Sequence, residues 1–221
     1  AIIGYADTTA PYEGDISIYM YGGTIGSLYG ARGKANITGS QAQVDGTVSL
    51  YIKGGKISSN TYIANLAVVK KAELYATAGT MYQYVYGLGV ATADELVFQF
   101  TDQAQMAQTA YRENYKMYVT SSAVVNKSVN VRIGASGSRY AFANYNGQQI
   151  TGSSSVFGLC DSTIHGSVKY DIIGNWEVGG SGKNYLSYNS TIDGDMDVLL
   201  DTNSFGVSGA LENTTVCTLA Y

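Results

Sequence analysis

Apolar and polar positions alternate in short runs along this chain, and the runs recur. The segment GDISIYMYGGTI at 14–25 returns 32 residues later as GTVSLYIKGGKI at 46–57, and in each copy three alternating apolar residues precede a Gly-Gly pair and a further apolar residue. A period of two marks a strand with one buried face, and paired glycines mark a corner. The triplet can be followed onward as Ile16/Ile18/Met20, Val48/Leu50/Ile52, Leu74/Ala76/Ala78, Leu96/Phe98/Phe100, Val129/Val131/Ile133, Val168/Tyr170/Ile172 and Met196/Val198/Leu200. The steps between first members are 32, 26, 22, 33, 39 and 28 residues.

An invariant short strand with variable spacers is what a parallel β-helix accommodates, because each coil can lengthen its corner loops without disturbing the strands stacked above and below. A propeller tolerates this less readily. The pattern therefore predicts an all-β chain, a single parallel β-helix (β-solenoid) of about seven irregular coils, roughly 30 Å long at the usual spacing of about 4.8 Å. Residues 14–221 are assigned to the solenoid and 1–13 to an N-terminal arm or cap. One segment departs from the pattern. Asp102 with Gln105 three positions on, then Met106, Ala107, Ala110 and Tyr111 at helical spacing, predict a short helical excursion near 102–116.

Composition agrees, since 27 glycines supply corners and a single proline, Pro11, leaves the ladders uninterrupted. With 14% charged residues and a net charge of −4, the chain lacks the basic stripe that a phosphate backbone requires, so nucleic acid is not an expected partner. No apolar run reaches the roughly 18 residues of a membrane helix, and no membrane span is expected. The opening Ala1-Ile2-Ile3-Gly4 reads as the start of a processed, secreted chain, so an extracellular or cell-surface location is expected.

Four sequons, at Asn36, Asn126, Asn189 and Asn213, are compatible with a secreted glycoprotein, although a chain this rich in Asn, Ser and Thr produces such triplets by chance. Cys160 and Cys217 suit an oxidising compartment by their even number. Register argues the other way: two coil steps separate them by roughly 9.6 Å, whereas disulfide Cα atoms lie within about 7 Å.

The run GDISIYMYGGTIGSLYG at 14–30 resembles the glycine-rich parallel β-helix repeats of large bacterial surface and adhesin-like proteins, and GSVKYDIIG at 166–174 carries a weaker version. The resemblance is clear over 14–60 and loose over 128–210. It implies a surface or matrix role by analogy.

Candidate chemistry is sparse. His165 is the single histidine, its nearest acid in sequence is Asp161, and the one near-match to a nucleophile elbow, Gly134-Ala135-Ser136, lacks the closing glycine. Asp193, Asp195, Asp197 and Asp201 are spaced as hard oxygen ligands, but a helix-loop-helix calcium loop needs glycine and glutamate where Val198 and Ser204 stand. Arg132, Lys169, Asp171 and Asp197 on successive coils offer the charges of a polysaccharide-lyase cleft. They also align as ordinary cross-strand pairs, Arg132 with Asp171 and Lys169 with Asp197. No catalytic residue, metal or cofactor is expected.

Twenty tyrosines against one tryptophan and five phenylalanines are the strongest bias. Tyr19, Tyr21, Tyr51 and Tyr75 fall on the outward side of the predicted strands, where a large ring with a polar tip suits protein contacts and sugar stacking alike. The solenoid's ends are the second feature, since neither terminal segment reads as a capping helix and bare ends invite the next copy. The expected function is a non-enzymatic extracellular structural protein, a subunit or segment of a filament, surface layer or adhesive stalk. Its partners would be copies of itself in a head-to-tail polymer, with surface glycans as a second class. Ile2, Ile3, Tyr19, Tyr21, Tyr51, Tyr75 and Tyr221 are the interface candidates. A carbohydrate-binding or lyase module is the alternative, and an outer-membrane β-barrel the third.

Overall fold

The computed structural model describes residues 11–33, 41–107, 116–135, 142–143, 155–174, 184–201 and 211–220. In these residues the chain is a β-solenoid built from a 13-stranded and a 7-stranded sheet, here called wide and narrow. The main wide-sheet strands are Ile16–Met20, Ala42–Ile57, Ala67–Tyr82, Ala91–Phe100, Val124–Ala135, Ser167–Gly174, Thr191–Asp201 and Thr215–Ala220. Between them the chain returns through narrow-sheet strands Leu28–Arg32, Thr61–Asn65, Tyr84–Leu88, Lys116–Ser121, Ser155–Cys160, Asn184–Tyr188 and Leu211–Glu212. Neighbouring strands pair in parallel, which removes the antiparallel barrel from consideration. Among the described residues no helix is long and apolar enough to cross a membrane.

The triplets form the core columns. Ile16, Ile18 and Met20 lie against Val48, Leu50 and Ile52, and the echo extends through the corner, with Ile25 against Ile57. Leu96/Phe98/Phe100, Val129/Val131/Ile133, Val168/Tyr170/Ile172 and Met196/Val198/Leu200 stack likewise. One expected triplet is corrected: Val48, Leu50 and Ile52 pair with Ala72, Leu74 and Ala76, two residues earlier than Leu74/Ala76/Ala78. A two-residue slip keeps the same face inward, so alternation cannot detect it. The ladder shifts register between Ile52 and Lys53, which places Ala78 beyond the triplet.

Leu50, Leu74, Phe98 and Phe100 have no exposed surface. Each such side chain stabilises the fold by about 1.5–3 kcal/mol. The ends are thinner: Ile16 and Ile18 are only partly buried, and Leu200 is 46% exposed. The expected seven coils are thus a slight overcount, because about five turns are covered on both sides in both sheets and the outermost ones are open.

The helical excursion is also corrected. Asp102 has φ 57°, which a helix N-cap does not adopt, and Gln105–Ala107 form a strand against Thr80–Tyr82. The long strand Ala67–Tyr82 runs past the rung at Phe100 and offers an edge, on which Met106 is fully buried opposite Met81. Positions 108–115 lie outside the described residues.

Five returns to the wide sheet begin with a left-handed residue, namely Leu66, Ser122, Asp161, Asn189 and Asn213, with φ between 48° and 54°. Asp and Asn tolerate this conformation. After the last three of these the next residue, Ser162, Ser190 or Thr214, carries a hydroxyl. Ala123 N–H donates to Ser162 Oγ at 3.2 Å and Ser162 N–H to Ser190 Oγ at 3.1 Å. The motif DSTIHG at 161–166 therefore repeats as NSTIDG at 189–194. Its glycine is steric in origin, since a Cβ at Gly166 would overlap the Lys127 carbonyl and one at Gly194 would crowd Gly166.

Candidate functional site

The outer face of the wide sheet is where parallel register brings side chains together. Tyr19, Tyr51 and Tyr75 are register partners, and their rings stack nearly coplanar at 4.6 Å and 5.2 Å between centroids. Tyr21 stacks on Tyr19 at 6.3 Å, with Lys53 Nζ 5.7 Å from its centroid. These two rings are 52% and 69% exposed for Tyr19 and Tyr21 respectively, while Tyr51 and Tyr75 are half-buried. Tyr51, between Tyr19 and Tyr75, spends both its faces on neighbouring rings.

Beside this stack Glu73 is buried and receives three partners: Ser49 Oγ at 2.8 Å, Lys71 Nζ at 2.8 Å and Tyr75 Oη at 3.3 Å. Burial alone drives its pKa up, but the Lys71 and Ser49 hydrogen bonds outweigh it and hold the carboxyl below the usual carboxylate range. The Glu73 hydrogen bond in turn holds the Lys71 ammonium above its ordinary value.

The tyrosine column continues as Gln99, Arg132 and Asp171. Arg132 Nε lies 3.2 Å from Asp171 Oδ2, as the alignment of triplets predicts. Lys169 and Asp197 share register on the same face without closing an ion pair. Around Arg132 lies a shallow groove of about 150 Å³, lined by Gln99, Asn130, Val131, Arg132, Lys169 and Asp171.

A second column runs along the corner, with Lys70 bound to Asp45 at 2.6 Å, Lys127 and Asn126 to Asp94 at 3.1 and 3.0 Å, and His165 Nδ1 to Asp193 at 2.7 Å. His165 is thus paired with the acid 28 residues on, not with Asp161, which accepts from Asn189 Nδ2 at 2.7 Å. Asp195 and Asp197 are exposed along one strand, and among the described residues no three His, Cys, Asp or Glu side chains converge in a way that could hold a metal ion. Asn189 and Asn213 occupy left-handed corners and Asn126 serves Asp94, so these sequon asparagines have structural roles. Both cysteines are free: Cys160 is buried, its thiol pushed up to about 12 by burial and by Asp161, and Cys217 is exposed. Ile2, Ile3, Asn36, Ser136 and Tyr221 lie outside the described residues.

A third column, on the narrow sheet, escapes the search for triplets. Tyr29, Tyr62, Tyr86 and Tyr118 stack at 5.2, 4.3 and 4.8 Å, with Arg32 4.5 Å above Tyr29. Burial pushes the Tyr86 and Tyr118 hydroxyls up to about 12 and Tyr62 higher still. The recurring Tyr-Gly and Phe-Gly pairs at 29–30, 86–87 and 157–158 are the signal that could have located it.

No family model, curated protein or solved structure matches the chain.

Proposed function

We propose that this chain is a non-enzymatic extracellular structural protein, a solenoid segment that joins copies of itself into a filament, surface layer or adhesive stalk. The observation that carries the reading is the pair of open edges. Among the described residues Ile16–Met20 pairs only with Ala42–Ile57, and Thr215–Ala220 only with Thr191–Asp201. Ile16, Ile18, Ile25, Leu211 and Val216 belong to the core columns yet are only partly buried there. An edge with unpaired backbone groups and half-buried apolar residues is a template for another strand.

The rest of the surface supports a structural role. Many of its polar groups are taken up by one another in columns, and in the groove Arg132 is paired with Asp171. On the tyrosine column the two faces of Tyr51 are covered by Tyr19 and Tyr75, which takes that ring away from sugar stacking. The extracellular location rests on the resemblance to surface-protein repeats.

Sedimentation and electron microscopy of the purified chain over a concentration series test the reading. Growing linear assemblies are expected, and Ile18→Lys, which puts a charge at the open edge, should shift the chain to monomer while preserving its circular dichroism. A chain that stays monomeric at its solubility limit would refute the proposal.

A further inference from the structure

Both edges of the wide sheet have the same three-part outline. At one edge Tyr12–Glu13 pairs with Val44–Asp45, Gly14 turns the chain at φ 116°, and Ile16–Met20 resumes the ladder. At the other, Val216 pairs with Ile192, the register shifts, and Thr218–Ala220 resumes opposite Asp195–Asp197. The same shift recurs inside the stack, between Val44 and Thr47 and between Val125 and Ser128. Followed rung by rung, the column that begins at Tyr12 ends at Val216, and the one that begins at Ile16 ends at position 219. Next along the chain from Tyr12 stands Glu13, and next from Val216 stands Cys217, at the register shift of the last rung.

The geometry points to a single joint: the Tyr12–Met20 edge of a second copy adds in parallel to Thr215–Ala220, with Tyr12 over Val216 and Glu13 beside Cys217. This names the contact for the self-assembly proposed above and rests on that reading.

Charge disfavours the pairing of two N-terminal edges. The rung TVCTLA at 215–220 carries no ionisable group other than its thiol, whereas the opposite edge presents the exposed acids Glu13 and Asp15. Joining two copies through the Tyr12–Met20 edge would set these carboxylates against their own counterparts, and like charges across strands are destabilising. Against Thr215–Ala220 they meet hydroxyl, thiol and backbone. Parallel addition also keeps the kinks aligned, and it covers the Tyr12 ring, 50% exposed in the single chain. A contact between two different edges extends without closing.

Glu13→Cys tests the joint with a partner already present. Adjacent parallel strands sit about 4.8 Å apart, inside the Cα range of about 4.4–6.8 Å for a disulfide. Cys217 is exposed and free, while Cys160 is buried and slow to react. Mild oxidation of Glu13→Cys should give a ladder of covalent multimers on a non-reducing gel. Ser17→Cys, on the same edge but off the Cys217 column, should give none, and Glu13→Cys with Cys217→Ser should lose the ladder. Assemblies seen by sedimentation without the cross-link, or with equal cross-linking of Ser17→Cys, would overturn the joint and leave self-assembly standing. A covalent dimer through Cys217 alone would indicate tail-to-tail pairing and overturn it too. Absence of both assembly and cross-link would overturn the joint together with the reading beneath it.

Discussion

Removing one oxygen atom, by Tyr170→Phe, should cost this protein about 1–2 kcal/mol of stability. Among the described residues Tyr170 is the largest fully buried side chain and is 1% exposed, in a column where its neighbours on either side are Val131 and Val198. Its hydroxyl crosses the interior from the wide sheet and donates to the Leu186 carbonyl of the narrow sheet at 2.7 Å. Gly158 makes the room, since a Cβ there would overlap both the hydroxyl and that carbonyl. Burial drives the phenol far above its ordinary pKa. A typical internal hydrogen bond is worth a net 0.5–1.5 kcal/mol, and leaving its buried acceptor unpaired costs about 1–3; the desolvation of the hydroxyl, which the variant avoids, offsets part of this. For a chain of this size the loss corresponds to a fall in Tm of roughly 2–8 °C. Tyr170→Ala, which also removes the ring, should cost about 3–5 kcal/mol. Urea and thermal unfolding followed by circular dichroism read both, with the exposed Tyr21→Phe as reference. A Tyr170→Phe protein as stable as the reference would show that no hydroxyl bond ties the two sheets at this point.

Three further outcomes follow from the surface columns. Glu73 titrates below its ordinary pKa in the fold, so its contribution is complete above the unfolded value near 4.5 and is lost as pH falls through the lower folded value; Glu73→Gln should flatten the acid limb of a stability–pH profile, and an unchanged limb would count against the Lys71–Glu73–Ser49 network. Tyr86 and Tyr118 are held up to about 12 by burial, so their contribution is complete below about pH 10 and is lost as pH rises toward 12; phenolate absorbance of the narrow-sheet column should grow in step with loss of circular dichroism, and reversible ionisation of a fully folded chain would contradict the stacked geometry. Arg132→Ala should change stability by about 0–1 kcal/mol in urea unfolding and less in high salt, because both partners are solvated; a loss well beyond that would mean the pair carries more than register.

Much of the architecture is legible in the chain because a buried sheet face writes itself as alternation. Ile16/Ile18/Met20 and Val48/Leu50/Ile52 announce both the strand and its partner, and once triplets are aligned the Arg132–Asp171 pair follows. The narrow sheet is harder to read. Thr61, Ile63 and Ala64 are all fully buried, so no clean period of two survives, and the column Tyr29–Tyr62–Tyr86–Tyr118 passes unnoticed among single aromatic residues.

What local pattern could not decide, stacking did. Alternation is blind to a slip of two residues, so whether Leu50 faces Leu74 or Ala76 was left to the ladder, whose register shifts between Val44 and Thr47 before Leu50 meets Leu74. Gln105–Ala107 have the spacing of a helix start, but the free edge at Thr80–Tyr82 supplies backbone partners and buries Met106 more completely than an isolated helical turn could. His165 meets Asp193 rather than Asp161 for the same reason: residues a full turn apart in a solenoid are a single strand spacing apart in space. The sequence by itself determined which faces of the main wide-sheet strands are inward and where the Gly-Gly corners fall, since both are properties of a few consecutive residues. Which turns touch, and therefore which tyrosines, acids and cations meet, was decided by the tertiary structure, because variable loops between identical strands leave the vertical alignment to the packing of the whole stack.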